Sequence, residues 1–413
     1  MVQMPRSQIS VTELSYSDEL LGKVALPGCD LTISRGIGSG LTRRVGDPPN
    51  KFWAIGDRGP NFKLLFGIKH GLSLPDTLAD VEGAKFMPAL AFGPAIAELN
   101  LQDGVVTCVH SQDLCDKDGQ PITGLPPANG LGEIAVNLDG TLIPPNPSGV
   151  DSEGIAAMAD GTFWVADEYG PSLLHVASNG TVLVRWVPAG LGRLFDGAGY
   201  PIKESLPAIA ASRQFNRGFE TVALSADEKW LYVAFQSPLA HPDEATHRQG
   251  RHVRIWKMDA LTGEITAQFL YPLDGADSFR RDNALGAFHG SDIKVSELVL
   301  LEPERLLILE RGSATSKLYT VTLNAECAVD ECHMKSETRP TLEELSAAGQ
   351  VGISVPQLRK TLLLNSDDFP EIGADLEGIV ALTPRTLLLV NDNDFGVEGA
   401  STRFWRVDFA ADL

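Results

Sequence analysis

Residues 150–171 read VDSEGIAAMADGTFWVADEYGP, and this stretch decides the fold of the chain. Two short apolar runs, residues 155–158 and 163–166, are separated by a turn at residues 159–161. Acidic residues stand before the first run and after the second: Asp151, Glu153, Asp167 and Glu168. Short apolar runs joined by a tight turn predict a β-hairpin, and the acids would lie at one edge of it.

The same pattern recurs along the chain. Copies of the acidic and apolar opening run begin at residues 218–222, 296–299 and 375–380, and each leads through a turn to a second apolar run. A weaker copy at residues 38–41 carries Ser39 where the other copies carry Glu. An antiparallel unit repeated in this way is typical of a β-propeller, in which each unit forms one blade.

Turn signals indicate how many strands each unit contains. The chain has 40 Gly and 26 Pro, which punctuate short apolar runs, and helical periodicity is scarce. Asn179-Gly180, between two apolar runs, predicts a second hairpin directly after the first, which makes four strands per unit. A further hairpin is expected from residues 134–137 and 141–143.

We therefore predict an all-β protein, a β-propeller of five or six four-stranded blades, as a single domain over residues 9–413. Strands are expected at both ends of the chain, at residues 9–14 and 403–408. If the two strands share a blade, their pairing closes the ring.

The charge of the chain bounds its partners and location. A formal net charge of −20 repels phosphate backbones and anionic lipid, which disfavours nucleic acid and membrane surfaces as partners. No apolar run approaches the roughly 18 residues of a membrane span. Residues 1–6 lack the apolar core of a secretory signal. We expect a cytoplasmic location for the chain as it stands, and a periplasmic or secreted one if a signal was removed.

The five cysteines leave two alternatives open. Cys108 with Cys115, and Cys327 with Cys332, are close enough in sequence to pair across a loop, which would leave Cys29 alone. Free thiols fit the sequence equally. The sequence contains no Cys-x-x-Cys motif, which disfavours a zinc site built from cysteines.

The repeat places acidic residues where they can meet. The innermost strand of each propeller blade lines the central channel, so residues at matched positions converge on one mouth. The acids of the opening runs are Glu153, Glu220, Glu297 and Glu377, and the ends of the second runs carry Asp57, Asp167, Glu168, Glu310, Asp392 and Asp394. Gathered carboxylates raise one another's pKa values unless a cation neutralises them.

A hard cation with flexible oxygen coordination fits such a cluster, and Ca²⁺ is the cofactor that we predict. The predicted metal ligands are Asp57, Glu153, Asp167, Glu220, Glu297, Glu377 and Asp392. In the alternative reading these acids cap turns or pair with Arg58, Arg217 and Arg311, which stand next to them in the sequence.

Several phrases of the sequence together resemble one known family. They are GSGL at 38–41, AIGDRGPN at 54–61, DSEGI at 151–155, WVADEYGP at 164–171, NRGFE at 216–220, DLEGIV at 375–380 and NDNDFG at 391–396. From about residue 36 to residue 409 the chain is similar to the bacterial phytase-like domains called "esterase-like activity of phytase". The resemblance implies a β-propeller with a phosphoesterase-type site, at Asp57, Arg58, Glu153, Asp167, Glu168, Glu220, Glu297, Glu377 and Asp392.

A hydrolytic mechanism follows as a hypothesis. Ca²⁺ held by the repeat carboxylates would bind the phosphate oxygens of a small anionic or ester substrate and activate a water. Arg58, Arg217 and Arg311 would clamp the phosphoryl group. Either Glu168 or Glu310 would act as the general base.

Two other functions use the same fold. A sugar-lactone or carboxylic-ester hydrolase would employ the same calcium site, and a binding propeller would keep the ion for structure alone. A serine hydrolase is disfavoured because the chain has no Gly-x-Ser-x-Gly motif.

Overall fold

The computed structural model describes residues 6–74, 78, 81 and 83–413. The strands are β1 (Ile9–Leu14), β2 (Leu20–Ala25), β3 (Asp30–Ser34), β4 (Gly40–Thr42), β5 (Lys51–Ile55), β6 (Phe62–Lys63), β7 (Ala84–Phe86), β8 (Ala95–Gln102), β9 (Val105–Asp113), β10 (Ile134–Val136), β11 (Ser152–Ala157), β12 (Phe163–Asp167), β13 (Ser172–Val176), β14 (Val182–Pro188), β15 (Ile202–Leu206), β16 (Phe219–Leu224), β17 (Trp230–Phe235), β18 (His252–Asp259), β19 (Ile265–Pro272), β20 (Lys294–Glu302), β21 (Arg305–Arg311), β22 (Ser316–Thr322), β23 (Lys360–Asn365), β24 (Leu376–Thr383), β25 (Thr386–Asn391) and β26 (Phe404–Phe409).

Helices are short. The α-helices of the described part are α1 (Leu64–Lys69), α2 (Glu244–Gln249), α3 (Arg280–Leu285) and α4 (Leu342–Ala347). Within the described residues, no helix is long and apolar enough to cross a membrane.

Five sheets of four or five strands form the body of the described chain. They are β4-β5-β8-β9, β11-β12-β13-β14-β15, β16-β17-β18-β19, β20-β21-β22-β23 and β24-β25-β26-β1. Neighbouring strands pair antiparallel, except that β15 joins β14 in parallel. The smaller sheets are β10-β7-β6 and β2-β3.

The first strands of the five sheets form a closed circuit. Strand β4 packs against β11, β11 against β16, β16 against β20, β20 against β24, and β24 returns to β4. The circuit is tight, because a Cβ added at Gly154 would come within 2.6 Å of Thr221 Cα on the next strand. This arrangement confirms the all-β propeller expected from the repeats.

The chain ends meet as predicted. Strand β1 pairs antiparallel with β26 from Ile9 opposite Phe409 to Leu14 opposite Phe404. The fifth sheet is therefore built from both ends of the chain, and this pairing closes the ring.

The expected hairpin after residue 134 forms as a short antiparallel pair. Val136 bridges Leu142, and the N–H groups of Asn137 and Ile143 donate to the carbonyl oxygens of Thr141 and Ala135, each at 2.8 Å. Strand β10 also pairs in parallel with β7, which the sequence did not predict. Strands β6, β7 and β10 thus build a small sheet beside the ring, and this sheet brings further charged groups to the mouth described below.

The hydrophobic core lies between neighbouring sheets. One cluster joins the second, third and fourth sheets and includes the buried rings of Trp164, Phe235 and Trp256. Another joins the fourth and fifth sheets around Trp405. The five cysteines are free thiols in the structure, which is one of the two alternatives that the sequence left open.

Candidate functional site

A β-bulge interrupts the opening of four inner strands. The register with the partner strand shifts across Glu153, Glu220, Ser296 and Glu377. A bulge redirects a side chain, and here it occurs at the same end of each strand. In the first sheet Gly40 faces Ile55, which places Ser39 at the matched position.

This register corrects the predicted place of Glu297. Ser296 occupies the position that matches the other bulged residues, and Glu297 follows it by one residue. The residues that match Glu297 on the other inner strands are Gly40, Gly154, Thr221 and Gly378. Its side chain is therefore the only long one at this level of the ring.

Glu297 reaches across the narrow channel instead of joining the mouth. Its carboxylate accepts hydrogen bonds from Thr221 Oγ1 at 2.5 Å and from the N–H groups of Leu41 and Leu298, each at 3.1 Å. Burial raises the pKa of Glu297 to about 8, more than these donors lower it. With its oxygens occupied, Glu297 is not placed to bind a metal at the mouth.

Twelve charged side chains of the described residues gather at the bulged end of the ring, and we call them the mouth cluster. They act on one another's pKa values through charge. The acids are Asp57, Asp151, Glu153, Glu168, Glu220, Glu377, Asp392 and Asp394, and the bases are Arg58, Arg217, Lys294 and Arg311. The cluster thus has twice as many acids as bases.

Three of the acids form a group suited to a cation, which we call the acidic triad. Asp151, Glu153 and Glu168 each offer an oxygen, and these oxygens all lie within 4.8 Å of one another. Asp151 and Glu168 are buried, and Glu153 is half-buried. Asp151 Oδ1 is buried without a hydrogen-bond partner. A buried oxygen of this kind is costly unless a ligand or ion satisfies it.

The pKa values of five mouth acids, Asp57, Glu153, Glu168, Glu377 and Asp392, are raised. Burial, followed by repulsion from Asp151, raises the pKa values of Glu153 and Glu168 well above their usual range. Burial also raises the pKa of Asp57 to about 7, against an opposing effect of Arg58. The pKa of Glu377 rises to about 7 for the same reason, against Arg311. A bound cation would favour the ionised forms of these groups, so the residues fit a hard divalent ion.

Arg58 is held by acids. Its guanidinium bonds to Asp151 and lies 3.2 Å from Glu133 Oε1 and 3.7 Å from Glu168 Oε2. Glu133 also pairs with Lys85 at 3.0 Å. The arginine therefore organises the triad, while its Nε is buried without a hydrogen-bond partner, and its role as a phosphate ligand stays a prediction.

The opposite side of the mouth is basic. Arg311 bonds to Glu377, and its Nε donates to Ser296 Oγ at 2.8 Å. Ser296 Oγ in turn donates to Glu220 Oε1 at 3.0 Å. Arg217 and Lys294 stand beside Arg311, as their mutual effects on pKa show. The bulged serine thus links the acidic and basic sides.

Two other predicted residues lie in separate buried networks. Asp167 is paired with Arg185 and Ser172, and it accepts the N–H of Asp151 at 2.8 Å. It supports the backbone of Asp151, and with both of its oxygens hydrogen-bonded it is not placed to bind a metal at the mouth.

Glu310 is committed to the packing between two sheets. It accepts from Tyr271 Oη at 2.7 Å, from the N–H of Asp274 at 2.9 Å and from Lys360 Nζ at 2.6 Å. Its carboxylate has no free oxygen to offer a substrate, which corrects its predicted role as general base.

The structure therefore brings most of the predicted residues together at one mouth: Asp57, Arg58, Glu153, Glu168, Arg217, Glu220, Arg311, Glu377 and Asp392. Sequence reasoning missed Lys294, which opens the third full copy of the repeat, and it left Asp151 out of the ligand set although Asp151 opens the deciding stretch. Glu133 and Lys85 come from the segment between β5 and β11, where no repeat pattern indicated a contribution.

Similarity to solved structures is low. Virginiamycin B lyase from Staphylococcus aureus is 10% identical, with a TM-score of 0.33 over 97% of this chain and 99% of that one. A gluconolactonase from Xanthomonas campestris is 9% identical, with a TM-score of 0.33 over 97% of each chain. At this level neither likeness bears on the activity of this chain.

Sequence comparison is more informative about the family. A protein of Arthroderma benhamiae described as an uncharacterized secreted protein is 27% identical over 290 residues, which are 63% of this chain. The chain spans about half the length of that relative, 54%. A sequence model of the phytase-like family, described as esterase-like activity of phytase, matches residues 35–395. Since this match covers all five inner strands and the whole mouth cluster, the chain belongs to the phytase-like family.

Proposed function

We propose that the protein is a calcium-dependent phosphoester hydrolase, and that its reaction takes place at the mouth cluster. The observation that carries this proposal is the acidic triad, with the unsatisfied Oδ1 of Asp151, in one cluster with Arg217 and Arg311, which interact by charge with Glu168 and Glu153. Oxygen ligands suit Ca²⁺, and the two guanidinium groups suit the phosphoryl oxygens of a substrate. In this proposal the ring from residue 9 to residue 413 is one catalytic domain.

Each part of the mouth has a task. Asp151, Glu153 and Glu168 would hold the ion, and Arg58 keeps Asp151 and Glu168 in position. A calcium ion bound there would supply positive charge beside the phosphoryl oxygens. Asp57, with a pKa of about 7, is suited to accept a proton from the attacking water near neutral pH. Glu168, first considered as the base, is assigned here to the triad.

We also propose that the protein works outside the cytoplasm. The fungal relative is described as secreted. Calcium sites of extracellular proteins bind at about 10⁻⁴–10⁻³ M, a range that a partly neutralised triad can reach. Fractionation of the native host tests this location, and recovery of the protein in the cytoplasm alone would contradict it.

The test of function is hydrolysis of a substrate panel by purified, chelator-treated protein with and without added Ca²⁺. The panel contains an aryl phosphate, an aryl phosphodiester, phytate, an aryl acetate and a sugar lactone. We expect calcium-dependent release from a phosphoester, lost in Glu153→Gln and kept in Glu264→Gln, an exposed control of the same chemistry. Turnover of only the acetate or lactone would contradict phosphoester chemistry. Stabilisation by calcium without any turnover would indicate a binding propeller.

A further inference from the structure

Two cations on the basic side of the mouth lack an acidic partner. Among the residues that the structure describes, no carboxylate lies within ion-pair distance of Arg217 or Lys294. The polar contact of Arg217 is a long one, from Nη1 to the carbonyl oxygen of Ile293 at 3.4 Å. Both side chains are half-buried, so water satisfies them only in part.

Two neighbouring acids act on Lys294 through charge without pairing with it. Glu220 and Glu377 raise the pKa of Lys294, but among the described residues neither carboxylate lies within ion-pair distance of it. Glu220 accepts from Gln236 Nε2 on one oxygen and from Ser296 Oγ on the other. One oxygen of Glu377 is bound by Arg311.

A third cation makes the arrangement more unfavourable in the absence of a ligand. Lys294 lies directly opposite Arg311 in the pairing of β20 with β21, so both side chains point to the same face of the sheet. Burial and the charges of Arg311 and Arg217 lower the pKa of Lys294. Like charges held together in a half-buried site repel one another unless an anion lies between them.

We propose that Arg217 and Lys294 form an oxyanion site that binds a tetrahedral anion such as inorganic phosphate without a divalent cation. Arg217 offers paired N–H donors, and Lys294 offers a point charge that contacts a second oxygen. Arg217 also lines an open cleft of about 420 Å³, together with the bases His247 and Arg248 and the acids Glu244 and Asp292, so the guanidinium can be reached from this cleft. The inference rests on the proposed function in one respect: inorganic phosphate is chosen as the ligand because phosphoester hydrolysis at the mouth cluster would release it.

The experiment is titration of the full chain with inorganic phosphate in the presence of chelator, followed by calorimetry. We expect binding by the unmodified protein and a loss of affinity of about tenfold or more in Lys294→Gln, whereas Lys294→Arg should stay within about threefold. Lys335→Gln removes the same charge from an exposed position and should not change the affinity. Each variant is first checked for a cooperative unfolding transition well above the temperature of the titration.

The outcomes separate this inference from the proposed function. If the unmodified protein binds no phosphate at millimolar concentration, or if Lys294→Gln binds as well as Lys335→Gln, the oxyanion site is wrong whatever the hydrolysis panel shows. If phosphate binds as expected but no phosphoester is hydrolysed with calcium, the site stands and the proposed function fails.

Discussion

Among single residues, the side chain of Glu153 is repelled by four neighbouring carboxylates of the described chain. It forms no hydrogen bond or ion pair among the described residues, yet it lies among the carboxylates of Asp151, Glu220, Glu377 and Glu168. Its bulged position holds it there because the backbone on either side is fixed in the sheet. Such a residue destabilises the protein without a cation and is useful only with one.

We therefore predict that Glu153→Gln raises the melting temperature of the chelator-treated protein near neutral pH, because a neutral amide avoids the cost of protonating a carboxyl among like charges. The same change should abolish the stabilisation that calcium adds, which at 100 times the dissociation constant amounts to about 2.7 kcal/mol. Thermal unfolding with and without Ca²⁺ measures both effects, with Glu264→Gln as the control. A variant that calcium still stabilises fully would show that the ion binds elsewhere.

Glu297 makes the stability of the ring depend on pH. Its folded pKa of about 8 lies above its usual value of 4.5, so the folded protein holds a proton that the unfolded chain has released between these values. The free energy of unfolding should therefore fall as pH rises through this window, by on the order of a few kcal/mol. Below pH 4.5 the contribution is constant.

The prediction is that Glu297→Gln, which cannot ionise, removes this part of the pH dependence. Denaturant unfolding of both proteins at a series of pH values gives the difference directly, because the titrations of the mouth cluster are common to both. A difference that does not change between pH 5 and 8 would contradict the assignment of a proton to Glu297.

Among the secondary-structure elements, strand β21 places two adjacent charged residues on opposite faces of its sheet. Side chains alternate between the two faces of a strand, so Arg311 enters the mouth while Glu310 turns into the space between sheets. There the carboxylate of Glu310 accepts hydrogen bonds from Tyr271 of β19 and Lys360 of β23. Lys360 also forms an ion pair with Asp274 at 2.8 Å. The contact joins the third and fourth sheets and makes Glu310 a structural residue.

We predict that Glu310→Gln lowers the free energy of unfolding by about 2 kcal/mol, the typical effect of weakening a hydrogen bond to a charged group. On the proposed function, the turnover number of the folded Glu310→Gln protein should not change, whereas Glu168→Gln should abolish turnover. Denaturant unfolding and steady-state kinetics on both variants make the comparison. A folded Glu310→Gln protein without activity would return Glu310 to the catalytic set.

At the scale of the whole molecule, the ring depends on a strand that is far away in sequence. Strand β1 covers the edge of β26 and contributes Leu14, which is buried, with Ile9 and Val11, which are half-buried. Burial of one such large side chain stabilises by about 1.5–3 kcal/mol. An uncovered β26 would also present a free edge to other molecules.

Removal of residues 1–14 should therefore lower the free energy of unfolding by several kcal/mol, more than about 3, and should promote aggregation. Removal of residues 1–8 leaves β1 intact and should have little effect. Denaturant unfolding and light scattering compare the two truncations. Equal stability of both would show that ring closure contributes little.

Much of this architecture follows from local pattern. The recurring acidic and apolar runs, with their turns, predicted the hairpins, the propeller class, the closing strands and an acidic mouth, because each of these depends on periodicity that a single unit carries. The Asn179-Gly180 turn between β13 and β14 is one such local signal. The single domain over residues 9–413 and the identity of the metal stay predictions.

The tertiary structure alone decided which charges meet. A one-residue bulge puts Ser296 rather than Glu297 at the mouth, strand alternation separates Glu310 from Arg311, and Glu133 arrives from a segment outside the repeats. The sequence by itself determined the ring and the end of it that carries acids, because these follow from short-range order along the strands. Which carboxylates face a cation depends on register and on contacts between distant segments, and these exist only once the ring has closed.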